Sequence, residues 1–293
     1  MSELSNKKVS VCIVTLNASR LLDRCLNSLE KSRGVTINQI IVVDNRSQDD
    51  TINMIKDRHS SVHLLTNSRN EGYTGPINQA LQQATGDYYL VLNPDAFVRT
   101  NSIALLARFL DLHPDVGICG PKVLNEDLTF QQSCRRGVAR PWNVISYFSG
   151  LATYFPKNSK FSGYHLSYLD KDRTCAVDGV SGSCLMIRRE VVEEIGLFDE
   201  RFFAYQEDSD YCFRAKTAGW KVYYVPEAQV IHHAGRGGSA VQRYRSIFEW
   251  HRSYYRLYKK HFAEDYFPLF NVFFYSLMLG KLMVTVFRET LRS

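Results

Sequence analysis

Two acidic segments, more than a hundred residues apart, are the parts of this chain whose residue types are best suited to chemistry. The first is Asn93-Pro94-Asp95, which ends an apolar run, and the second is Glu207-Asp208-Ser209-Asp210, which follows an aromatic-rich turn. Crowded carboxylates disfavour each other's ionisation, so we expect at least one raised pKa. Carboxylates beside aromatic side chains are typical of a partly dry pocket that binds a metal ion or transfers a proton.

Helix capping is an alternative role for both segments. Asp95 stands shortly before the polar run 100–102, where a carboxylate could cap a helix. The acids at 207–210 would occupy the first turn of a helix that continues through 213–215, where the helix dipole favours negative charge. This second role is compatible with a catalytic one.

Composition indicates a folded protein with a large core. The chain has 293 residues, of which 45% are apolar and 13% aromatic, so a disordered protein is excluded. The seven cysteines are odd in number and never in C-x-x-C spacing, which predicts neither a zinc site nor a disulfide framework. The first eight residues are polar, so no signal peptide is predicted and a cytoplasmic protein is expected.

Positive charge is concentrated in the C-terminal part of the chain. The net charge is +6, and the residues from Arg236 onward hold ten Lys and Arg against four acids, so the rest is neutral overall. This part also contains the apolar run 267–280, which Lys281 ends before it reaches the roughly 20 residues that a spanning helix needs. We therefore predict an interfacial or re-entrant helix at the inner face of the cytoplasmic membrane, with a core helix as the alternative. Nucleic acid is not expected, because the aromatic residues do not alternate with the basic ones.

The first half of the chain alternates strand and helix patterns. Apolar, β-branched runs predict strands, and apolar residues at helical spacing predict helices between them. The predicted strands are 9–16, 39–43, 62–65 and 88–92, and the predicted helices are near 21–29, 49–55 and 76–84. Such alternation predicts an α/β fold with a mostly parallel sheet flanked by helices, which binds ligands beyond the carboxyl ends of its strands.

Polar residues follow each predicted strand, and together they predict a binding crevice at one edge of the sheet. They are Thr15 and Asn17, then Asp44 and Asn45, then residues 67–73, then Asn93 and Asp95. Neither a G-x-G-x-x-G fingerprint nor a Walker phosphate loop is present, so a nucleotide would be held by carboxylates and a metal ion. Asp44 taken alone is equally well explained as a turn residue.

In their order along the chain, these segments resemble the family 2 glycosyltransferases with the GT-A fold. The resemblance covers about residues 7–240 and rests on the ordered set 10–17, 42–47, 70–78, 92–95 and 205–210, because each motif alone is weak. The Asn-Pro-Asp form and the segment 196–200 are most similar to the rhamnosyltransferase-like branch that builds bacterial surface polysaccharides. The resemblance implies a glycosyltransferase domain at 1–240, with a nucleotide-binding half at about 7–98 and an acceptor half at about 99–240. A basic, aromatic helical region at 241–293 follows it.

The resemblance also assigns residues to a nucleotide-sugar donor. It implies that Asp44 contacts the nucleobase or ribose, and that Asp95 closes a variant D-x-D motif whose first acid is replaced by Asn93. Asp95 would hold Mg²⁺ or Mn²⁺ on the donor diphosphate, with His232 completing the metal site and His233 a weaker candidate. Arg236, in a glycine-rich loop, would close over phosphate. The expected donor-binding residues are Thr15, Asn17, Asp44, Asn45, Asn70, Gly72, Tyr73, Asn78, Asn93, Asp95 and Arg236.

For the acceptor side, the resemblance places the catalytic base at Asp208. Glu207 is the alternative base, and Asp210 would hydrogen-bond backbone or acceptor. Gly182 and Ser183 belong to a stretch of small residues that would leave room for a sugar ring, although a β-turn explains them equally well. The aromatic stretch 131–172 has no clear period, and it is interpreted as a flap over the acceptor or as packing under a long insertion.

The activity implied is an inverting transfer of a sugar to a lipid-linked saccharide. The donor expected from the resemblance is dTDP-L-rhamnose, with UDP- or GDP-sugars as alternatives. Two alternatives come from other classes of protein, a nucleotidyltransferase and a non-catalytic nucleotide-sugar-binding protein. A nucleotidyltransferase would need a glycine-rich phosphate loop after the first strand, where this chain has Asn17-Ala18-Ser19. A non-catalytic nucleotide-sugar-binding protein would not need the acids at 207–210.

Overall fold

A nine-stranded sheet contains all four strands predicted for the first half of the chain. The computed structural model describes residues 7–233, 235 and 243–291. Its first elements are β1 (Lys8–Thr15), α1 (Ser19–Glu30), β2 (Thr36–Asp44), α2 (Thr51–Arg58), β3 (His63–Thr66), α3 (Thr74–Gln83), β4 (Tyr88–Leu92), β5 (Ala96–Val98), α4 (Ser102–Leu112) and β6 (Val116–Leu124).

The second part of the chain adds the remaining strands and helices. They are β7 (Arg135–Arg136), α5 (Pro141–Phe148), α6 (Leu151–Tyr154), β8 (Cys175–Ala176), β9 (Gly179–Val180), β10 (Cys184–Arg188), α7 (Arg189–Ile195), α8 (Glu207–Thr217), β11 (Lys221–His232), α9 (Arg243–His261) and α10 (Pro268–Thr290). Two short 3₁₀ turns lie at Gln132–Cys134 and Ala263–Asp265.

Burial explains why the sequence forms these elements. Seven of the eight residues of β1 are buried, as expected for a strand covered by helices on both faces. On α1 the buried residues are Leu22, Cys25, Leu26 and Leu29, the apolar stripe of a helix that packs one face on the sheet. The alternation read from the sequence is therefore confirmed.

The strand order is β3-β2-β1-β4-β10-β6-β11-β5, with β8 paired to β11. Strands β3, β2, β1 and β4 are parallel, so their carboxyl ends meet at one edge. The antiparallel strand β10 lies between β4 and β6, and β11 pairs with β6 in parallel and with β5 in antiparallel. This mixed, mostly parallel sheet confirms the predicted GT-A architecture. The crevice is expected where the strand order reverses around β1 and β4.

The C-terminal region packs on the acceptor side through a separate apolar cluster. Tyr254, Leu257 and Tyr258 of α9 and Phe274 of α10 join Phe202 in this cluster. The predicted boundary between 240 and 241 lies outside the described residues.

Helix α10 presents most of its apolar residues to the surroundings. It has 23 residues and is long and apolar enough to cross a membrane by length and composition, and only 6% of its most apolar window is buried. The helix continues past Lys281, the residue at which the apolar run 267–280 ends. Its exposed large apolar residues are Leu269, Val272, Phe273, Leu277, Leu279, Met283, Val284, Val286 and Phe287.

Candidate active site

One cleft of about 640 Å³ brings the two acidic segments together. Its donor-side wall is formed by the ends of β1 and β4 and by the loop that follows β3. The loop before β10 and the first turn of α8 complete its lining. The predicted residues that line it are Thr15, Asn45, Asn70, Gly72, Tyr73, Asn93, Asp95, Gly182, Ser183, Glu207, Asp208 and His232.

Asn45, just after β2, orders the loop that forms part of the donor-side wall. Its Nδ2 donates to the Asn70 side-chain oxygen at 2.9 Å and to the Gly72 carbonyl at 2.6 Å. Its Oδ1 accepts the backbone N–H of Glu71 at 3.0 Å. Asn45 is 2% exposed. It therefore acts on the cleft mainly by fixing this loop.

The loop at 70–73 is locked against the turn that precedes Glu207 and Asp208. Gly72 has φ +87°, and a Cβ there would lie 2.3 Å from the Phe203 carbonyl oxygen, so only glycine fits. The Tyr73 N–H donates to that same carbonyl at 2.6 Å. The donor-side wall and the acidic turn are consequently held as one unit.

Three predicted donor residues do not line this cleft. Asp44 is fully buried, and both of its carboxylate oxygens accept the Ser47 N–H, at 2.9 and 3.1 Å. The Asn17 side-chain oxygen accepts the Gln48 N–H at 2.6 Å. Asn78 exchanges hydrogen bonds with the backbone of Phe198. Contact of these residues with a donor stays a prediction, while their role in the fold is direct.

Asp95 and His232 face each other in the cleft. The His232 Nε2 lies 3.2 Å from the Asp95 Oδ1 and 3.4 Å from the Asn93 Nδ2. The other ring nitrogen, Nδ1, lies 2.9 Å from the Gln131 side-chain oxygen, which fixes the ring orientation. The pairing of β11 with β5 produces this meeting, because it sets His232 opposite Ala96, the residue after Asp95.

His233 occupies a different environment. Successive side chains of an extended segment point to opposite faces, so the second histidine is turned away from Asp95. Its ring is 5% exposed, packs edge-on against Phe97 at 4.9 Å, and approaches Glu126 at 3.7 Å. Of the two histidines, the one ranked first from the sequence is the one that lines the cleft. Arg236 lies outside the described residues.

The side chains of Asp95 and His232 are of types that ligate a divalent metal ion. They fit an ion that is shared with a phosphate-bearing ligand. Within residues 7–233, 235 and 243–291, no group of three or more His, Cys, Asp or Glu side chains could hold a metal alone. Mg²⁺ is commonly bound through one or two carboxylates, with substrate phosphates and waters completing its shell. The imidazole would suit Mn²⁺ better than Mg²⁺.

Asp208 is a rigidly oriented side chain that is paired with Arg136. Arg136 of β7 donates to both of its oxygens, at 3.0 and 2.8 Å, and the Gly182 N–H donates to its Oδ2 at 2.8 Å. The turn before it is strained, since Tyr205 and Gln206 have φ of +67° and +63°. Backbone strain of this kind clusters at functional sites, where the surrounding structure maintains it.

Glu207 differs from its neighbour in charge state. Burial, and then the adjacent charge of Asp208, raise the pKa of Glu207 to about 8. Its Oε2 is buried without a hydrogen-bond partner among the described residues. The nearby Tyr73 hydroxyl also has a raised pKa, because of its burial and the charges of Glu207 and Asp208. At neutral pH the protonated form of Glu207 is therefore favoured, beside an Asp208 side chain that is paired with Arg136. Such different environments are expected of paired acid and base groups.

Replacing Glu207 with glutamine is expected to stabilise the protein at alkaline pH. Between the unfolded pKa near 4.5 and the folded pKa of about 8, the folded state holds a proton that the unfolded state has released. Stability therefore falls as pH rises through this window, and E207Q removes the fall, a gain of roughly 2 kcal/mol at pH 8 after allowance for coupling to Asp208. Urea unfolding at pH 5 and pH 8 measures it, with the exposed Glu193→Gln as control. Parallel pH profiles for E207Q and the wild type would contradict the assigned pKa.

Asp210 does not line the cleft. It is fully buried, and its carboxylate contacts Lys260 and His261 of α9, each at 2.6 Å, and Arg214 at 2.9 Å. Burial disfavours its charge, but the hydrogen bonds from His261 and Lys260 hold its pKa below the ordinary value. The acid predicted for backbone or acceptor therefore joins α8 to the C-terminal region, and its contact with an acceptor stays a prediction.

Several cleft residues were missed from the sequence. Those from the insertion are Arg136, Tyr147, Phe148, Tyr164 and His165, and those from the C-terminal region are Arg245, Glu249, Trp250 and Lys281. The aromatic richness of 131–172 was a usable signal, because one interpretation of it was a cover for the acceptor. From the sequence, the basic C-terminal residues were assigned to a membrane surface. The structure also brings Arg245 and Glu249, one helical turn apart on α9, into the lining of the cleft.

The comparison with known families decides the class of this site. Residues 10–196 match Glycosyl transferase family 2. The chain belongs to this family. Family membership confirms that the protein is a glycosyltransferase, as the ordered motifs indicated.

Relatives of this family 2 glycosyltransferase include enzymes named for rhamnose. An N-acetylglucosaminyl-diphospho-decaprenol L-rhamnosyltransferase of Mycobacterium tuberculosis is 30% identical over 239 residues, which cover 76% of this chain and 75% of the relative. The rhamnosyltransferase WbbL of Escherichia coli K12 is 25% identical over 60% of this chain and 62% of its own.

Solved structures of low sequence identity share the fold. GalNAc-T7 with UDP, GalNAc and Mn²⁺ covers 88% of this chain with a TM-score of 0.62 and 19% identity, and this chain spans about half (48%) of its length. The mannosyltransferase PcManGT of Pyrobaculum calidifontis, in complex with GDP-Man and Mn²⁺, covers 93% of this chain and 69% of its own with a TM-score of 0.58 and 17% identity. These similarities confirm the GT-A fold.

Proposed function

We propose that this glycosyltransferase moves L-rhamnose from dTDP-L-rhamnose to a lipid-linked saccharide, with inversion, in the synthesis of a bacterial surface polysaccharide. The observation that carries the proposal is that a single cleft holds both the Asp95–His232 pair and the Glu207–Asp208 pair. The rhamnosyltransferase relatives support the donor, and the decaprenol-linked substrate in the name of one of them supports the acceptor.

Asp208 is the proposed base. Arg136 and the Gly182 N–H hold its carboxylate in one orientation, and Asp208 lines the cleft. As the acceptor oxygen attacks the anomeric carbon, its proton passes to Asp208, the new glycosidic bond forms, and the bond from that carbon to the diphosphate breaks. A positioned base of this kind contributes about 10²- to 10⁴-fold to the rate.

Glu207 supports the reaction in its protonated form. A neutral acid can donate a hydrogen bond to a substrate oxygen and adds no second negative charge beside Asp208 or the donor diphosphate. The buried Oε2, without a partner among the described residues, is the atom available for that bond.

The donor diphosphate is placed at Asp95, His232 and Asn93. These residues would hold a divalent cation together with the two phosphates, and the cation would supply positive charge that stabilises the leaving diphosphate. The Gln131 oxygen fixes the His232 ring, so that its Nε2 is presented to the cleft. The Thr15 hydroxyl oxygen is buried without a partner among the described residues, and it is available to the donor.

The helix α10 is proposed to hold the enzyme at the inner face of the cytoplasmic membrane. Its apolar side chains are exposed along the whole helix, a surface that soluble monomeric proteins rarely present. Charge in the C-terminal part of the chain is positive, which suits an anionic membrane surface.

The proposed activity is tested by transfer assays with a panel of donors. Purified enzyme is incubated with Mn²⁺, an N-acetylglucosaminyl diphosphate carried on a short prenol, and labelled dTDP-L-rhamnose, UDP-sugars or GDP-sugars. We expect product from dTDP-L-rhamnose, with inverted anomeric configuration by NMR. Product from another sugar only would overturn the donor assignment, and nucleotide binding without any product would favour a non-catalytic binding protein.

Polar substitution on the exposed side of α10 is expected to weaken membrane binding. Phe273 and Phe287 are 54% and 64% exposed, so the variant carrying F273Q and F287Q should fold as the wild type does. Because burying a Phe side chain contributes about 1.5–3 kcal/mol, partition into anionic vesicles should fall roughly tenfold or more. Vesicle sedimentation measures this, with Leu112→Gln on α4, 65% exposed, as control. Equal partition of all three proteins would contradict the membrane assignment.

A further inference from the structure

Lys281 is a cation of α10 that points into the cleft. Its ammonium lies 4.1 Å from the centre of the Phe148 ring and 4.7 Å from that of Trp250, and 3.3 Å from the His251 Nε2. It lines the same cleft as Asp95 and Asp208. Lys281 therefore does not interrupt the exposed apolar surface of the helix, because its charge is on the opposite side.

The charge of Lys281 has no acidic partner among the residues that the structure describes. The ammonium is partly removed from water, and this desolvation holds the pKa of Lys281 below its ordinary value. Glu249, another acid lining the cleft, is paired with Arg252 at 2.6 Å. Among the described residues the Lys281 ammonium contacts two aromatic rings and one imidazole. A partly buried cation in such surroundings is a site that an anionic ligand would stabilise.

A continuous series of aromatic contacts leads from Lys281 towards Asp208. Phe148 packs on Tyr147 at 5.0 Å, and Tyr147 packs on Tyr164 at 5.3 Å. The charges of Arg136 and Asp208 both act on the Tyr164 hydroxyl. The Tyr164 ring lines the same cleft as Arg136 and Asp208. The series thus begins at the helix that carries the exposed apolar surface and ends at the proposed base.

This order corresponds to the chemistry of a lipid-linked sugar. Such a molecule has an apolar chain, then one or two phosphates, then the sugar that carries the reacting hydroxyl. The exposed face of α10 suits the chain, and aromatic rings such as Tyr147 and Tyr164 suit the apolar face of a sugar. Lys281, which lies between them, suits the phosphate, since a lysine ammonium binds phosphate as a point charge.

We propose that Lys281, framed by Phe148 and Trp250, binds the phosphate group that links the acceptor saccharide to its lipid. The inference rests on the proposed lipid-linked acceptor, and it adds that α10 is part of the acceptor site as well as a membrane anchor. The ligand chemistry is a phosphate ester at the membrane surface, and a phospholipid headgroup is the other source of that chemistry.

The test compares a short-chain prenyl diphosphate with the prenyl alcohol of the same length. Binding to full-length protein in detergent is measured by calorimetry for the wild type, K281Q, K281R and R288Q. Arg288 is the matched control, because it is an exposed cation of the same helix. We expect K281Q to bind the diphosphate about tenfold more weakly, K281R to retain most of the affinity, and R288Q to bind as the wild type does. Affinity for the alcohol should be equal in all four proteins.

Two results would overturn the proposal. The first is equal diphosphate affinity in K281Q and the wild type. The second is that K281Q reduces partition into anionic phospholipid vesicles at least as much as R288Q does, which would identify the phospholipid headgroup as the ligand. Because these measurements need no turnover, they are separable from the transfer assay. Preferential diphosphate binding lost in K281Q supports the site even if the donor sugar proves to be another one.

Discussion

Asparagine at position 208 is expected to lower kcat by about a thousandfold, since general-base catalysis contributes roughly 10² to 10⁴. The amide cannot accept the acceptor proton, yet it keeps the size of the side chain. Its one oxygen, at the position of Oδ2, can still accept hydrogen bonds from Arg136 and the Gly182 N–H. Binding of the donor nucleotide should change little, because the proposed diphosphate site is at Asp95 and His232. Single-turnover transfer and nucleotide titration measure the two effects.

Glu207→Gln is the matched control for D208N. Because Glu207 is protonated at neutral pH, with a pKa raised to about 8, glutamine resembles its native state closely. We expect kcat of E207Q to stay within about tenfold of the wild type, a loss of no more than 1.4 kcal/mol of transition-state stabilisation. If E207Q is the variant that loses turnover while D208N keeps it, the base is Glu207.

Alanine at position 95 is expected to abolish metal-dependent stabilisation by the donor nucleotide. Ligand at a hundred times its Kd stabilises a protein by about 2.7 kcal/mol, which corresponds to a shift of roughly 5 °C in Tm for a chain of this size. With Mn²⁺ we expect this shift for the wild type, and with EDTA we expect most of it to disappear. In D95A it should be absent in both conditions, because the carboxylate that would hold the cation on the diphosphate is missing.

The two adjacent histidines offer a control within the same strand end. H232A should lose the Mn²⁺-dependent part of the shift, since the His232 Nε2 lies 3.2 Å from Asp95. H233A should lower Tm, because its ring is buried against Phe97, but keep the difference between Mn²⁺ and EDTA. A Mn²⁺-dependent shift that survives in both D95A and H232A would contradict the metal site. A nucleotide shift independent of metal in the wild type would do so as well.

The predictions for Glu207 and Asp208 both concern the balance between activity and stability. Glu207 is buried with a raised pKa, and E207Q is expected to make the protein more stable at alkaline pH. A residue whose replacement stabilises the fold is retained for function, which is the usual relation at active sites. Asp208 differs from Glu207, because its carboxylate is paired with the guanidinium of Arg136.

The amino-acid sequence by itself determined the local elements and the motif-bearing strand ends. Strands β1 to β4 and the helices between them follow from apolar periodicity, a property of neighbouring residues that no distant contact is needed to establish. Because parallel strands end at one edge of a sheet, the meeting of Thr15, Asn45 and Asp95 was also predictable. The ordered motifs were sufficient to indicate the family.

Only the tertiary structure decided which distant side chains meet. Arg136 reaches Asp208 across 72 residues, and Lys260 reaches Asp210 across 50, through packing that periodicity does not encode. The inward direction of Lys281 depends in the same way on how α10 rotates against α9 and the insertion. The physical reason is that a helix or strand pattern specifies which residues share a face, whereas the partner of that face is set by the competition among all surfaces that the chain can bury.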